Sequence, residues 1–97
     1  MKLAIGDMVY VYQECMFKEC QIVGELQKIQ EVPAYGGGTT KLYFVKMLDG
    51  TVVTTYFYSD SLDHCVAIRK RARPDLPVFS LWRQVNEFRQ GGNSERI

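Results

Sequence analysis

The chain has 97 residues, of which 46% are hydrophobic and 24% charged, with a formal net charge of +1. That length suits one modest core and excludes two, and the apolar fraction excludes global disorder. Near neutrality excludes a general electrostatic pull toward nucleic acid or an anionic membrane surface.

The opening MKLAIGDMVYVY is not a signal peptide, because Asp7 interrupts it after a few apolar residues and no cleavage pattern follows. No run approaches the roughly 18 apolar residues of a membrane span. Ile5-Gly6-Asp7 reads as a turn feeding a first strand, Met8 to Tyr12, in which aromatic and β-branched residues alternate. Gln13 to Glu19 is polar and reads as a loop. The next stretch, Cys20 to Val32, is ambiguous. Ile22, Leu26 and Ile29 have helix-compatible spacing, and Glu, Leu, Gln and Lys favour helix. Gly24, the missing N-cap and Ile22-Val23 favour a strand, and the balance points to a long strand bent at Gly24. Pro33 to Gly38 is a loop tip.

Lys41 to Tyr58 is the densest β-branched and aromatic run, divided by Asp49-Gly50. As a two-residue type I′ loop, that dipeptide pairs Leu48 with Thr51, Met47 with Val52, Val45 with Thr54 and Tyr43 with Tyr56. Lys46 marks the outer face, since an unpaired Lys is almost never fully buried. Tyr43, Val45, Met47 and Val52 are therefore expected in the core, leaving Leu42, Phe44 and Phe57 in need of cover. Ser59 to Asp63 suits a single 3₁₀ turn, and His64 to Lys70 a short fifth strand. After Pro74 and Pro77, Val78 to Gln90 is a helix candidate: Val78, Leu81, Trp82, Val85 and Phe88 fall within an arc of about 120°. Arg83 and Glu87 lie opposite, and Gly91 suits the C-cap. Asn93 to Ile97 reads as a frayed tail.

The expected fold is thus mainly β, five short strands with a C-terminal α-helix, residues 1–73 forming the β unit and 74–97 the helix and tail of the same domain. This order resembles the SH3-like small β-barrels, through Gly6-Asp7-Met8-Val9, Gln21-Ile22-Val23-Gly24, Tyr43-Phe44-Val45-Lys46, Asp49-Gly50 and Tyr58-Ser59-Asp60-Ser61-Leu62. The resemblance covers about two-thirds of the chain and implies binding of proline-rich peptides, methylated residues, RNA or DNA, or assembly into larger machines. One branch, the plasmid-borne type II dihydrofolate reductases, builds an active pore from four barrels. Thr55-Tyr56-Phe57-Tyr58 stands here where that branch carries Val-Gln-Ile-Tyr, without the glutamine.

Reactive chemistry is sparse. Cys15, Cys20, His64 and Cys65 are zinc-type ligands, but adjacent strand residues point to opposite faces, so His64 and Cys65 do not suit one tetrahedral ion. The same adjacency is wrong for a Cys-His nucleophile pair, and Gly36-Gly37-Gly38 lacks the Lys and following helix of a phosphate loop. No catalytic residue, metal or cofactor is expected. Three cysteines without an export signal read as reduced thiols in the cytoplasm.

Charge is unevenly distributed: residues 1–64 net −3 and residues 65–97 net +4. Such asymmetry fits self-association or a basic patch facing a partner. Arg69, Lys70, Arg71 and Arg73, with tyrosines such as Tyr10, Tyr12, Tyr56 and Tyr58, could track a nucleic-acid backbone. A solvated strand end is the plainer reading of that cluster. Trp82, Phe79 and Phe88, with Arg83, are residue types enriched at interface cores, or ordinary core of the same chain. The residues therefore point to a non-enzymatic binding or adaptor protein, acting on a protein partner or on itself as a homodimer. Nucleic-acid binding is the alternative, and an enzyme formed only at a subunit interface is a third reading.

Overall fold

The computed structural model describes residues 3–58 and 67–90. They form six strands and one helix: β1 (Met8–Cys15), β2 (Lys18–Pro33), β3 (Thr39–Lys46), β4 (Val52–Thr55), β5 (Ile68–Arg69), β6 (Val78–Phe79) and α1 (Trp82–Arg89). The protein is mainly β. Four strands form an antiparallel meander, β5 joins the far side of β1, and the order is β4-β3-β2-β1-β5, with β6 parallel to β2. Among the described residues the sheet is not closed on itself.

The organising element is β2. Its first half pairs with β1 and its second with β3, and Glu25 is the exchange point, opposite both Met8 and Lys46. Gly24 is required there: a Cβ would lie 2.5 Å from the Lys46 carbonyl oxygen. The strand reading of Cys20 to Val32 holds, and its register against β3 is shifted by a bulge at Gln27. Leu26 pairs with Val45 and Ile29 with Tyr43, so three residues of β2 span two of β3. Without the bulge, alternation would turn Ile29 away from the core. With it, Leu26 and Ile29 both face inward.

The polar segment 13–19 is no open loop. β1 and β2 continue to Cys15 and Lys18, joined by the two-residue turn Met16-Phe17, with φ of 54° and 66°. Polarity misled here because both strand ends project beyond the core, where apolar alternation is not needed.

The second hairpin differs from expectation by one residue. Lys46 pairs with Val52, Val45 with Val53, Phe44 with Thr54 and Tyr43 with Thr55. Leu48-Asp49-Gly50 is a three-residue loop, closed by the Met47 N–H donating to the Thr51 carbonyl at 2.8 Å, with Gly50 at φ 92°. Tyr43, Val45 and Met47 are buried as expected, but Val52 is 53% exposed and Val53 packs on the core in its place. A one-residue slip exchanges the two faces of a strand. β4 stops at Thr55, short of Tyr56, Phe57 and Tyr58.

Val9 and Val11 of β1, Cys20, Ile22 and Leu26 of β2, Tyr43 and Val45 of β3, Met47, Ile68 and Val85 make the core. The helix begins at Trp82, not Val78, because Val78-Phe79 is a strand along Gln21-Ile22. Leu81 precedes the helix in extended geometry and has no side-chain acceptor, so its cap comes from elsewhere. Gln84 Oε1 accepts the N–H groups of Ser80 and Leu81 at 3.2 and 3.1 Å, and Asp49 Oδ2 accepts that of Trp82 at 2.9 Å. The β3–β4 loop thereby docks the helix start. The 59–63 turn, the 64–66 part of the fifth strand, Gly91 and the tail lie outside the described residues.

Candidate interaction surfaces

The basic cluster folds inward. Arg69 is 1% exposed and Arg73 5%, whereas Arg71 is exposed and Lys70 sits 3.5 Å from Asp7. The guanidinium of Arg73 pairs with both oxygens of Asp75, at 3.1 and 2.7 Å, and lies 5.8 Å from the centre of the Tyr12 ring. Tyr12 in turn donates to Glu19 at 2.6 Å. That bond, with burial adding to it, pushes the phenol up to about 12. The four basic residues therefore do not line one solvent-facing strip, which corrects the premise of a cationic track. The reason is packing: both residues of β5, Ile68 and Arg69, are buried where the strand lies along β1, and Arg73 is held by Gln21 and Asp75. Of the tyrosines in that reading, Tyr12 is committed to Glu19, Tyr58 leans on Tyr43 at 6.1 Å, and Tyr56 is exposed.

Gln21 is the polar centre of the interior. Its Nε2 donates to the carbonyls of Arg73 and Leu76 at 2.8 and 3.1 Å, and its Oε1 accepts the Arg73 N–H at 2.9 Å. Residues 73–79 are held as a strap across β2, delivering the chain to α1. This role is not legible in the sequence, since a glutamine between Cys20 and Ile22 looks like the outward member of an alternating strand.

The aromatics of β6 and the helix pack in part on this chain's own core. Trp82, Phe79 and Phe88 are half-buried against the core, the Phe79 and Phe88 rings meet tilted by 55° at 5.4 Å, and Lys18 and Arg89 sit over Phe88 and Trp82. Arg83 is exposed. The helix lies on β2 and β6 and not over Leu42 and Phe44. Those two are half-buried, with the Lys28 ammonium 5.3 Å from the Phe44 ring, and Phe57 is exposed. His64 and Cys65 lie outside the described residues. Among the described residues no His, Cys, Asp and Glu side chains group as a metal site, and Cys20 is a buried thiol whose pKa is raised by desolvation.

Two surfaces remain that sequence did not single out. One is the Met16-Phe17 turn. Both residues occupy the left-handed region, where a non-glycine costs about 1 kcal/mol or more, and they are 78% and 97% exposed. A two-residue turn of this kind normally takes Asn-Gly. The other is an open groove of about 610 Å³ lined by Pro33, Ala34, Tyr35, Thr40, Tyr56 and Phe57. Tyr35 projects fully, and Tyr56 and Phe57 are also exposed. A smaller cleft of about 410 Å³ lies between Met8, Gly24, Lys46, Leu48 and Ser80. Among the described residues no helix is long and apolar enough to cross a membrane. Compared with protein families, curated proteins and solved structures, this chain matches none.

Proposed function

We propose that this is a non-enzymatic binding or adaptor protein, working through protein–protein contacts or self-association from an SH3-like small barrel in the cytoplasm. The observation that carries the reading is the aromatic groove of Tyr35, Tyr56 and Phe57. Exposed aromatics gathered along one groove are what a protein-binding surface looks like. The barrel part is supported by the meander with β5 returned to β1, and by a long β2 shared between two partners. The burial of Arg69 and Arg73 weighs against the nucleic-acid reading, which needs its cations in solvent.

The test is a quantitative pull-down with three baits: the wild type, a Tyr35→Ser/Phe57→Ser groove variant and a Lys70→Ala/Arg71→Ala variant, each with and without nuclease. A protein enriched by the wild type and the basic-site variant, and lost with the groove variant, supports the reading. Enrichment that nuclease abolishes, or none above a tag-only bait, would overturn it.

A further inference from the structure

The Met16-Phe17 turn and the aromatic groove sit at opposite ends of β2. The turn precedes Lys18, the first residue of the strand, and the groove begins at Pro33, its last. Sixteen extended residues reach roughly 50 Å, and the longest dimension of the molecule is 49 Å. The turn therefore cannot fill the groove of its own chain. It is nonetheless shaped as an insert. Two large apolar side chains project from the narrowest part of the hairpin, on a backbone held in a region that Met and Phe rarely adopt. Among the described residues nothing packs on these side chains to reward that choice, and strain of this kind concentrates where a segment has a task.

We propose that the Met16-Phe17 turn of one molecule inserts into the Tyr35–Phe57 groove of a second copy, giving a head-to-tail association. This rests on the groove being a protein-binding surface, and it names the occupant. Area argues for the pairing and sets its strength. At about 200 Å² for each large side chain, the exposed parts of Met16, Phe17, Tyr35, Tyr56 and Phe57 give the contact at most roughly 800 Å² to cover. Turn and groove contribute comparable shares, roughly 350 and 450 Å². That total lies below the ~1,200 Å² of a stable interface, so the association is weak and concentration-dependent. The groove lining carries no charge, so the carboxylates of Glu14 and Glu19 flanking the turn meet no like charge there. Because the two surfaces differ, the contact is heterologous, and it propagates into open chains unless a ring closes.

Sedimentation velocity between about 10 µM and 1 mM, within the range expected of a small interface, tests this with two variants. Met16→Asn/Phe17→Gly replaces the turn by one that prefers the same backbone, so it folds at least as well. Tyr35→Ser/Phe57→Ser alters only exposed positions. The wild-type sedimentation coefficient should rise with concentration, and each variant alone should remain monomeric. An equimolar mixture of the two variants should form dimers and stop there, since one intact turn meets one intact groove. A wild type that stays monomeric overturns the inference, as does a variant that self-associates alone or a mixture that behaves as its parts. If the wild type is monomeric while the groove variant still loses its captured protein in the pull-down, this inference falls and the binding reading stands.

Discussion

Gln21→Leu should be among the most damaging conservative-volume substitutions in the chain. The side chain is 2% exposed and makes three hydrogen bonds to the strap backbone, to Arg73 N–H, Arg73 C=O and Leu76 C=O. Each bond contributes about 1 kcal/mol net, and a buried group left without its partner costs 1–3 kcal/mol. Leucine restores volume and recovers some apolar transfer energy, so the net loss is about 3 kcal/mol. A domain of this size holds roughly 5–15 kcal/mol in all. With a urea slope near 1.2 kcal/mol/M, the midpoint should fall by about 2.5 M. Trp82 is the single tryptophan and follows the strap directly, so its fluorescence reports the segment being released. Gln21→Glu should be at least as harmful, because it keeps the acceptor for Arg73 N–H and sets a carboxylate against two carbonyls. Gln27→Leu, at the exposed bulge, is the control and should move the midpoint little. A Gln21→Leu midpoint within about 0.5 M of wild type would refute the reasoning, because the strap would then not depend on these bonds.

Three further outcomes follow from named contacts. Gly24→Ala forces a Cβ to within 2.5 Å of the Lys46 carbonyl oxygen, which backbone must move to relieve; a loss of about 2–3 kcal/mol in denaturant unfolding is expected. Val53→Asp should cost about 2 kcal/mol or more while Val52→Asp stays within about 0.5 kcal/mol, and the reverse ranking would restore the two-residue loop register. Asp49 holds its carboxyl below the usual range because its ionised form accepts the Trp82 N–H and then that of Thr51. Its contribution is therefore complete above the normal aspartate range and is lost as pH falls through the depressed folded-state value. Asp49→Asn should lower the melting temperature at pH 7 and flatten this part of the acid dependence; an unchanged acid limb would count against the cap.

The sequence carried the elements better than it carried their registers, and the reason differs at each site. β2 shows it most clearly. Ile22, Leu26 and Ile29 are spaced like a helix face, yet they line one face of a strand because Gln27 is bulged out. Intrinsic alternation and helical spacing both fail on a strand that changes phase once, and the bulge itself has no residue signature. The β3–β4 loop fails differently. Asp49-Gly50 serves a two-residue turn or the last two positions of a three-residue one, and only the cross-strand partner of Met47 decides. The helix start was illegible because its cap is Asp49, 33 residues away, and Val78-Phe79 took a strand partner that no local propensity reveals. The candidate surfaces obey the same logic. Arg69 and Arg73 read as a cationic patch because charge is visible in sequence and burial is not. Met16-Phe17 read as unremarkable loop because its meaning lies in φ and exposure together. The departures at Gly24 and Gln27 occur where β2 changes partners, and both keep that exchange packed. The Met16-Phe17 turn departs from its local preference with no packing gain among the described residues, and this difference is why the proposed contact is built on it and not on the bulge.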